Sequence, residues 1–224
     1  MLKVLCFHGF GTNKEIMDYQ LRQFKKFFKN VQFVTMNGPW EIDRAMVGDP
    51  LLIPLLDKLG KKSFAWFRIL HESTFVYLDQ TMKYVAEFIK KEGPFDGVLG
   101  FSQGGMVACY FTYYCEFFKD KLDFVPPKFV IAINSPAFFP PQMKKKYTID
   151  APSIHFIGEN DFLFAKPLYA STLFVEPILI FHKEGHKIPK LTEHEINIMK
   201  EFFSRFLSSS SGNKLNKNFI RARL

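Results

Sequence analysis

Ser102 sits in Gly100-Phe101-Ser102-Gln103-Gly104, and further along the chain come Asp161 and then His186. A serine hydroxyl is a weak nucleophile at neutral pH and needs a base within hydrogen-bond reach. A histidine supplies that base, and a carboxylate fixes its tautomer and stabilises the imidazolium. The negative oxygen of a tetrahedral intermediate needs two donors aimed at it. The backbone amides of Phe10 and Gln103 suit that role, Gln103 at the positive end of a helix. Around them Met106, Trp66, Phe67 and Phe138 are candidates for an apolar substrate pocket, although aromatic residues are also ordinary core.

Each of these residues has a plainer reading. A bare G-x-S-x-G often marks an ordinary turn, and Asp161 suits the N-cap of a short helix. Glu159 is the alternative acid, at a strand end. Among six histidines, His182 is the nearest rival to His186 because it ends a strand, whereas His186 lies beyond it in a glycine-containing loop. His155 falls within a strand, His194 in the last helix and His71 in a segment of no clear period. His8 is expected to shape the loop after the first strand.

The elements that would position these groups follow from apolar periodicity. Strands are expected at Leu2–Phe7, Val31–Met36, Asp96–Phe101, Lys128–Asn134, Ser153–Gly158 and Pro177–Phe181. Helical spacing covers Asn13–Asn30, Thr74–Lys91, Gln103 to about Lys119, a short stretch near Ala165–Phe174, and Leu191–Leu207. Residues 40–73 read as a partly helical, lid-like excursion over the end of the sheet. Residues 208–224 read as a polar, basic tail. Strands alternating with helices call for an α/β, doubly wound, mostly parallel sheet of about six strands covered on both faces. Its site then lies at the carboxyl ends of the strands. His8-Gly9-Phe10, Ser102, Asp161 and His186 each follow a strand, so all four emerge on one rim. A strand before the G-x-S-x-G and a helix after it make the pattern a nucleophile elbow, and the order serine, acid, histidine is that of α/β-hydrolases.

Composition narrows the class. The 224 residues are 47% hydrophobic and 23% charged, which suits one globular domain, 1–207, with a sizeable core. No apolar run is long enough for a transmembrane helix, and the first residues lack the features of a signal peptide. Three cysteines without metal-ligand spacing argue against a disulfide framework and fit a reducing, cytoplasmic setting. The formal charge of +8 comes from scattered lysines without an interleaved aromatic pattern, so no nucleic-acid partner is expected.

These blocks resemble the FSH family of serine hydrolases, which includes fungal members and ovarian cancer-associated protein 2. The resemblance rests on Lys3–Phe10, Gly93–Gly104, Lys128–Ile133, Pro152–Asp161 and His182–Pro189. It implies an α/β-hydrolase fold, a Ser102-Asp161-His186 triad, and no metal or organic cofactor. The implied substrate is a small-molecule acyl ester. An acyl thioester or acyl protein is the alternative within the enzyme class, and a non-catalytic binding module is the alternative outside it. Three positions depart from the family pattern. Glu184 replaces one of two glycines before the histidine, Gly105 stands where alanine is usual, and Asn134-Ser135 replaces Ser-Gly.

Overall fold

The computed structural model describes residues 1–47, 52–59, 62–70, 74–136 and 148–207. Phe138, His71 and the 208–224 tail lie outside the described residues. In chain order the elements begin with β1 (Leu2–Phe7), α1 (Lys14–Gln20), α2 (Arg22–Phe27) and β2 (Val31–Met36). Next come β3 (Trp40–Ile42), α3 (Leu52–Leu59), β4 (Ser63–Ala65), β5 (Arg68–Leu70), β6 (Thr74–Val76) and α4 (Leu78–Glu92). The second half holds β7 (Gly97–Phe101), α5 (Gln103–Phe117), β8 (Phe129–Ile133), β9 (Ser153–Gly158), α6 (Ala165–Ser171), β10 (Ile178–His182) and α7 (Glu193–Leu207).

Six of the strands form one parallel sheet in the order β10-β9-β8-β7-β1-β2. Strand order reverses between β1 and β7, and ligands of open α/β sheets bind at such a switch point. Alternate residues of β1 face opposite ways, as the two-residue period of a strand requires. Leu5 and Phe7 join the core beneath α4 and α5, while Leu2, Val4 and Cys6 join the core beneath α1, α2 and α7. Helix α4 buries Leu78, Met82, Val85 and Ile89, one stripe at helical spacing. Helix α5 is buried nearly all round, which suits its lack of a polar face.

Cys6, Cys109 and Cys115 are all free and buried. Burial pushes all three thiols up, Cys109 to about 12. No helix among the described residues is long and apolar enough to cross a membrane.

Local structure departs from the periodicity in three places. The expected helix over Asn13–Asn30 is two helices, because the chain leaves helical geometry at Leu21, which ends α1 and starts α2. The expected helix from Thr74 begins only at Leu78: Thr74–Val76 pairs with β5 in a two-stranded antiparallel ribbon, and Tyr77 turns the chain with φ 72°. Within residues 40–73, β3 pairs antiparallel with β4, and Thr12 bridges Phe64. That pairing lays the segment against the loop after β1.

Candidate active site

Ser102 occupies the one-residue turn between β7 and α5 with φ 53° and ψ −119°, a backbone conformation that L-residues rarely adopt. The flanking glycines explain how the turn closes. A Cβ on Gly100 would lie 2.1 Å from the Gly104 carbonyl oxygen, and one on Gly104 would lie 2.2 Å from the Phe7 carbonyl oxygen. The start of α5 therefore packs directly on the backbones of β7 and β1. The Ser102 amide donates to the Ile133 carbonyl at 3.0 Å, which ties the turn to β8.

The structure brings Ser102, His186 and Asp161 together. His186 Nε2 lies 2.8 Å from Ser102 Oγ, and His186 Nδ1 lies 2.7 Å from Asp161 Oδ2. A carboxylate only accepts, so Nδ1 carries the proton and Nε2 is left to accept from the hydroxyl. The Asp161 carboxyl is fully buried, and its second oxygen accepts from the Leu163 amide at 2.8 Å. Asp161 thus caps a turn and meets the histidine at once, one oxygen for each. The His186 ring lies between Phe101 and Phe162, with ring centroids 5.1 and 5.2 Å away.

The other candidate acids and bases point elsewhere. Glu159 pairs with Lys183. His182 is buried, and neither ring nitrogen has a partner among the described residues. His155 is a core residue beside Ser153, and burial pushes it down to about 3. His194 is exposed on α7. His8 is fully buried: its Nδ1 donates to the Gly9 carbonyl at 2.7 Å, and its Nε2 accepts from the Gly38 amide at 2.9 Å. Burial pushes it down to about 4, so it is a neutral strut for the loop after β1.

That loop is tied on its far side to β4, by Gly11 N–H to the Phe64 carbonyl and Phe64 N–H to the Thr12 carbonyl. The amides of Phe10 and Gln103 donate to no acceptor among the described residues. Gln103 is the first residue of α5, and the loop passes near Ser102. A Cβ on Gly9 would lie 3.7 Å from Ser102 Cβ.

A cleft of about 190 Å³ opens at Ser102, lined among others by Phe10, Gln20, Val47, Leu52, Phe101 and His186. Trp66 and Phe67, expected along a substrate pocket, do not line it. Both are fully buried. The Trp66 indole N–H donates to the His8 carbonyl at 2.8 Å, and its ring packs edge-on against Phe7. Met106, also expected there, packs into the core beneath α4 and α5. Their bulk supports the loop and helix instead.

Sequence patterns give no sign of what holds this support together. The Gln103 side chain, buried, accepts from the Trp66 amide at 3.0 Å and donates to the Phe67 carbonyl at 3.0 Å. The residue after the serine therefore clamps the 65–67 segment, which in turn holds the loop carrying Phe10. A Cβ on Gly105 would lie 2.5 Å from the Ser135 Cβ, so the start of α5 packs against residue 135 without room for a side chain at 105.

Comparison with known proteins agrees with this architecture. A family model described as serine hydrolase (FSH1) matches residues 1–198. An uncharacterized hydrolase of Schizosaccharomyces pombe is 29% identical over 84% of this chain and 47% of its own length, so the chain spans about half of that relative. Esterase OVCA2 of Xenopus tropicalis is 25% identical, covering 93% of this chain and 94% of the relative. Among solved structures, acyl-protein thioesterase 2 of Zea mays superimposes with a TM-score of 0.57 at 14% identity, over 91% of this chain and 92% of that one. At that identity the likeness shows the α/β-hydrolase fold alone.

Proposed function

Because this chain belongs to the serine hydrolase (FSH1) family, we propose that it cleaves carboxylic esters through an acyl-enzyme formed on Ser102. The observation that carries this reading is the unbroken line from Ser102 Oγ through the His186 ring to Asp161, at 2.8 and 2.7 Å. His186 Nε2 takes the hydroxyl proton as Oγ attacks the acyl carbon. The negative charge that develops on the carbonyl oxygen is met by the Phe10 and Gln103 amides. His186 then gives the proton to the leaving alkoxide, the C–O bond breaks, and the acyl group stays on Ser102. Water enters, loses a proton to His186 and attacks the acyl carbon. Collapse of that second intermediate returns the proton to Oγ and releases the acid.

The supports are physical. Asp161 is buried and bonded to Nδ1, which fixes the tautomer that leaves Nε2 a base. The helix of fifteen residues beginning at Gln103 adds its positive end to the amide donors. Apolar Phe10, Val47, Leu52 and Phe101 on the cleft suit an acyl chain. A thioester would be cleaved by the same steps with a thiolate leaving.

Reaction with a fluorophosphonate probe tests the reading. Labelling of wild type that disappears in Ser102→Ala, with parallel loss of p-nitrophenyl ester hydrolysis, is the expected result. A folded wild type that neither labels nor hydrolyses esters of any chain length would overturn it in favour of a binding module. Acyl-CoA substrates in the same panel separate thioester from ester cleavage.

A further inference from the structure

We propose that Asn134 is the positioning residue of this site: its side-chain amide locks the loop bearing His186 to the strand that delivers Asp161. The inference rests on the Ser102-His186-Asp161 reading above.

Asn134 directly follows β8, is fully buried and has φ 45°. That left-handed conformation is one asparagine tolerates better than most residues. Its side chain reaches in two directions. Oδ1 accepts from the Gly158 amide at 2.8 Å, where β9 ends three residues before Asp161. Nδ2 donates to the Lys187 carbonyl at 2.9 Å and to the Gly185 carbonyl at 3.3 Å. Those two carbonyls flank His186. An amide N–H can only donate and a carbonyl can only accept, so the partners dictate which end of the Asn134 amide faces which way.

The base loop lies directly on the strand it is tied to. A Cβ on Gly158 would lie 2.7 Å from the Glu184 carbonyl oxygen and 2.9 Å from that of Gly185. The loop has bonds of its own: Lys187 N–H to the Gly185 carbonyl, the Lys190 amide to Glu184, and Asn160 Nδ2 to the Lys183 carbonyl. None of these reaches from the middle of the sheet to both sides of His186. Asn134 does, and its backbone amide is itself held by the Phe156 carbonyl at 2.9 Å. Carboxylate and imidazole thus share one fixed reference point, and small displacements of a reacting group are costly in rate.

Two substitutions separate positioning from bulk stability. Asn134→Gly removes the side chain while accepting the left-handed backbone. Asn134→Asp keeps the acceptor for Gly158 but turns a carboxylate oxygen toward two carbonyl oxygens, so it breaks only the arm to the base loop. Wild type and both variants, as full chains, are compared by thermal unfolding, ester hydrolysis and the downfield proton resonance of the His186 Nδ1–H. The expected result is a fall in kcat on the order of tenfold to a hundredfold in both variants. KM should stay within about threefold, as for a transition-state effect, and the resonance should broaden or shift while unfolding stays cooperative.

A folded Asn134→Gly with kcat within about twofold of wild type and an unchanged resonance would overturn the proposal. If Asn134→Asp fails to fold, Asn134→Gly decides alone. If neither folds, Asn134 is structural and the proposal fails. The resonance reports the His186–Asp161 pair whether or not any ester is turned over, so failure here is distinct from failure of the hydrolase reading, which Ser102-dependent labelling tests.

Discussion

Asp161 gives one carboxylate oxygen to the Leu163 amide and the other to His186. In Asp161→Asn the amide can still accept from Leu163, but its NH₂ then faces Nδ1 and drives the ring proton to Nε2, against the hydroxyl it should deprotonate. Ester hydrolysis should fall by about a thousandfold to ten-thousandfold, with the thermal midpoint little changed; steady-state kinetics and a melt check both halves. Gly105 and Ser135 make a second residue-scale case. Gly105→Ala places a methyl 2.5 Å from the Ser135 Cβ and should destabilise by about 1–3 kcal/mol, the usual cost of overpacking. Adding Ser135→Gly should recover most of that loss. A double-mutant cycle by chemical denaturation measures the coupling, and strict additivity would refute it.

Helix α5 serves the site at the scale of an element. In the proposed mechanism its first residue offers a backbone amide to the developing oxyanion, and the same residue's side chain grips the 65–67 segment. That segment in turn holds the His8 carbonyl through the Trp66 indole. Gln103→Leu keeps the bulk and removes both bonds, taking from the buried Trp66 N–H its acceptor. The stability loss should be about 1–3 kcal/mol for each group left unsatisfied. Ester kcat should fall too, because the loop presenting Phe10 loses its backing. Denaturation and kinetics on the one variant test the two effects together; lost stability with unchanged kcat would uncouple the helix from that loop.

At the scale of the whole molecule, two histidines set a pH response unrelated to catalysis. His8 and His155 are fully buried, and burial pushes them down to about 4 and about 3. In the unfolded chain each titrates near its ordinary value of about 6.5. Between those limits the unfolded state binds more protons, so stability is fully present above about pH 6.5 and falls as pH drops through the window. Each ring contributes a slope of about 1.4 kcal/mol per pH unit there. Denaturant melts from pH 7 to 4 should show this decline, and His155→Phe should make it shallower. A stability flat across that range would show that the rings gain solvent or a counter-charge on acidification.

Much of this protein is legible in local pattern. Apolar-rich runs mark all six strands of the parallel sheet, and the central β7 and β8, buried on both faces, show no polar alternation at all. The G-x-S-x-G between a strand and a helix, together with residues following successive strands, directs Ser102, Asp161 and His186 to one rim. What local pattern does not carry is contact between segments distant in sequence. Gln103 meets residues 36 and 37 positions away, and Asn134 reaches 51 and 53 positions ahead. Trp66 and Phe67 look like pocket residues by type, yet the turn of the 63–67 segment onto the loop after β1 buries them. The close approach of Gly105 to Ser135 has the same origin. Periodicity reports which way a side chain faces relative to its own element, whereas its partner is chosen only when crossovers bring remote elements into van der Waals contact.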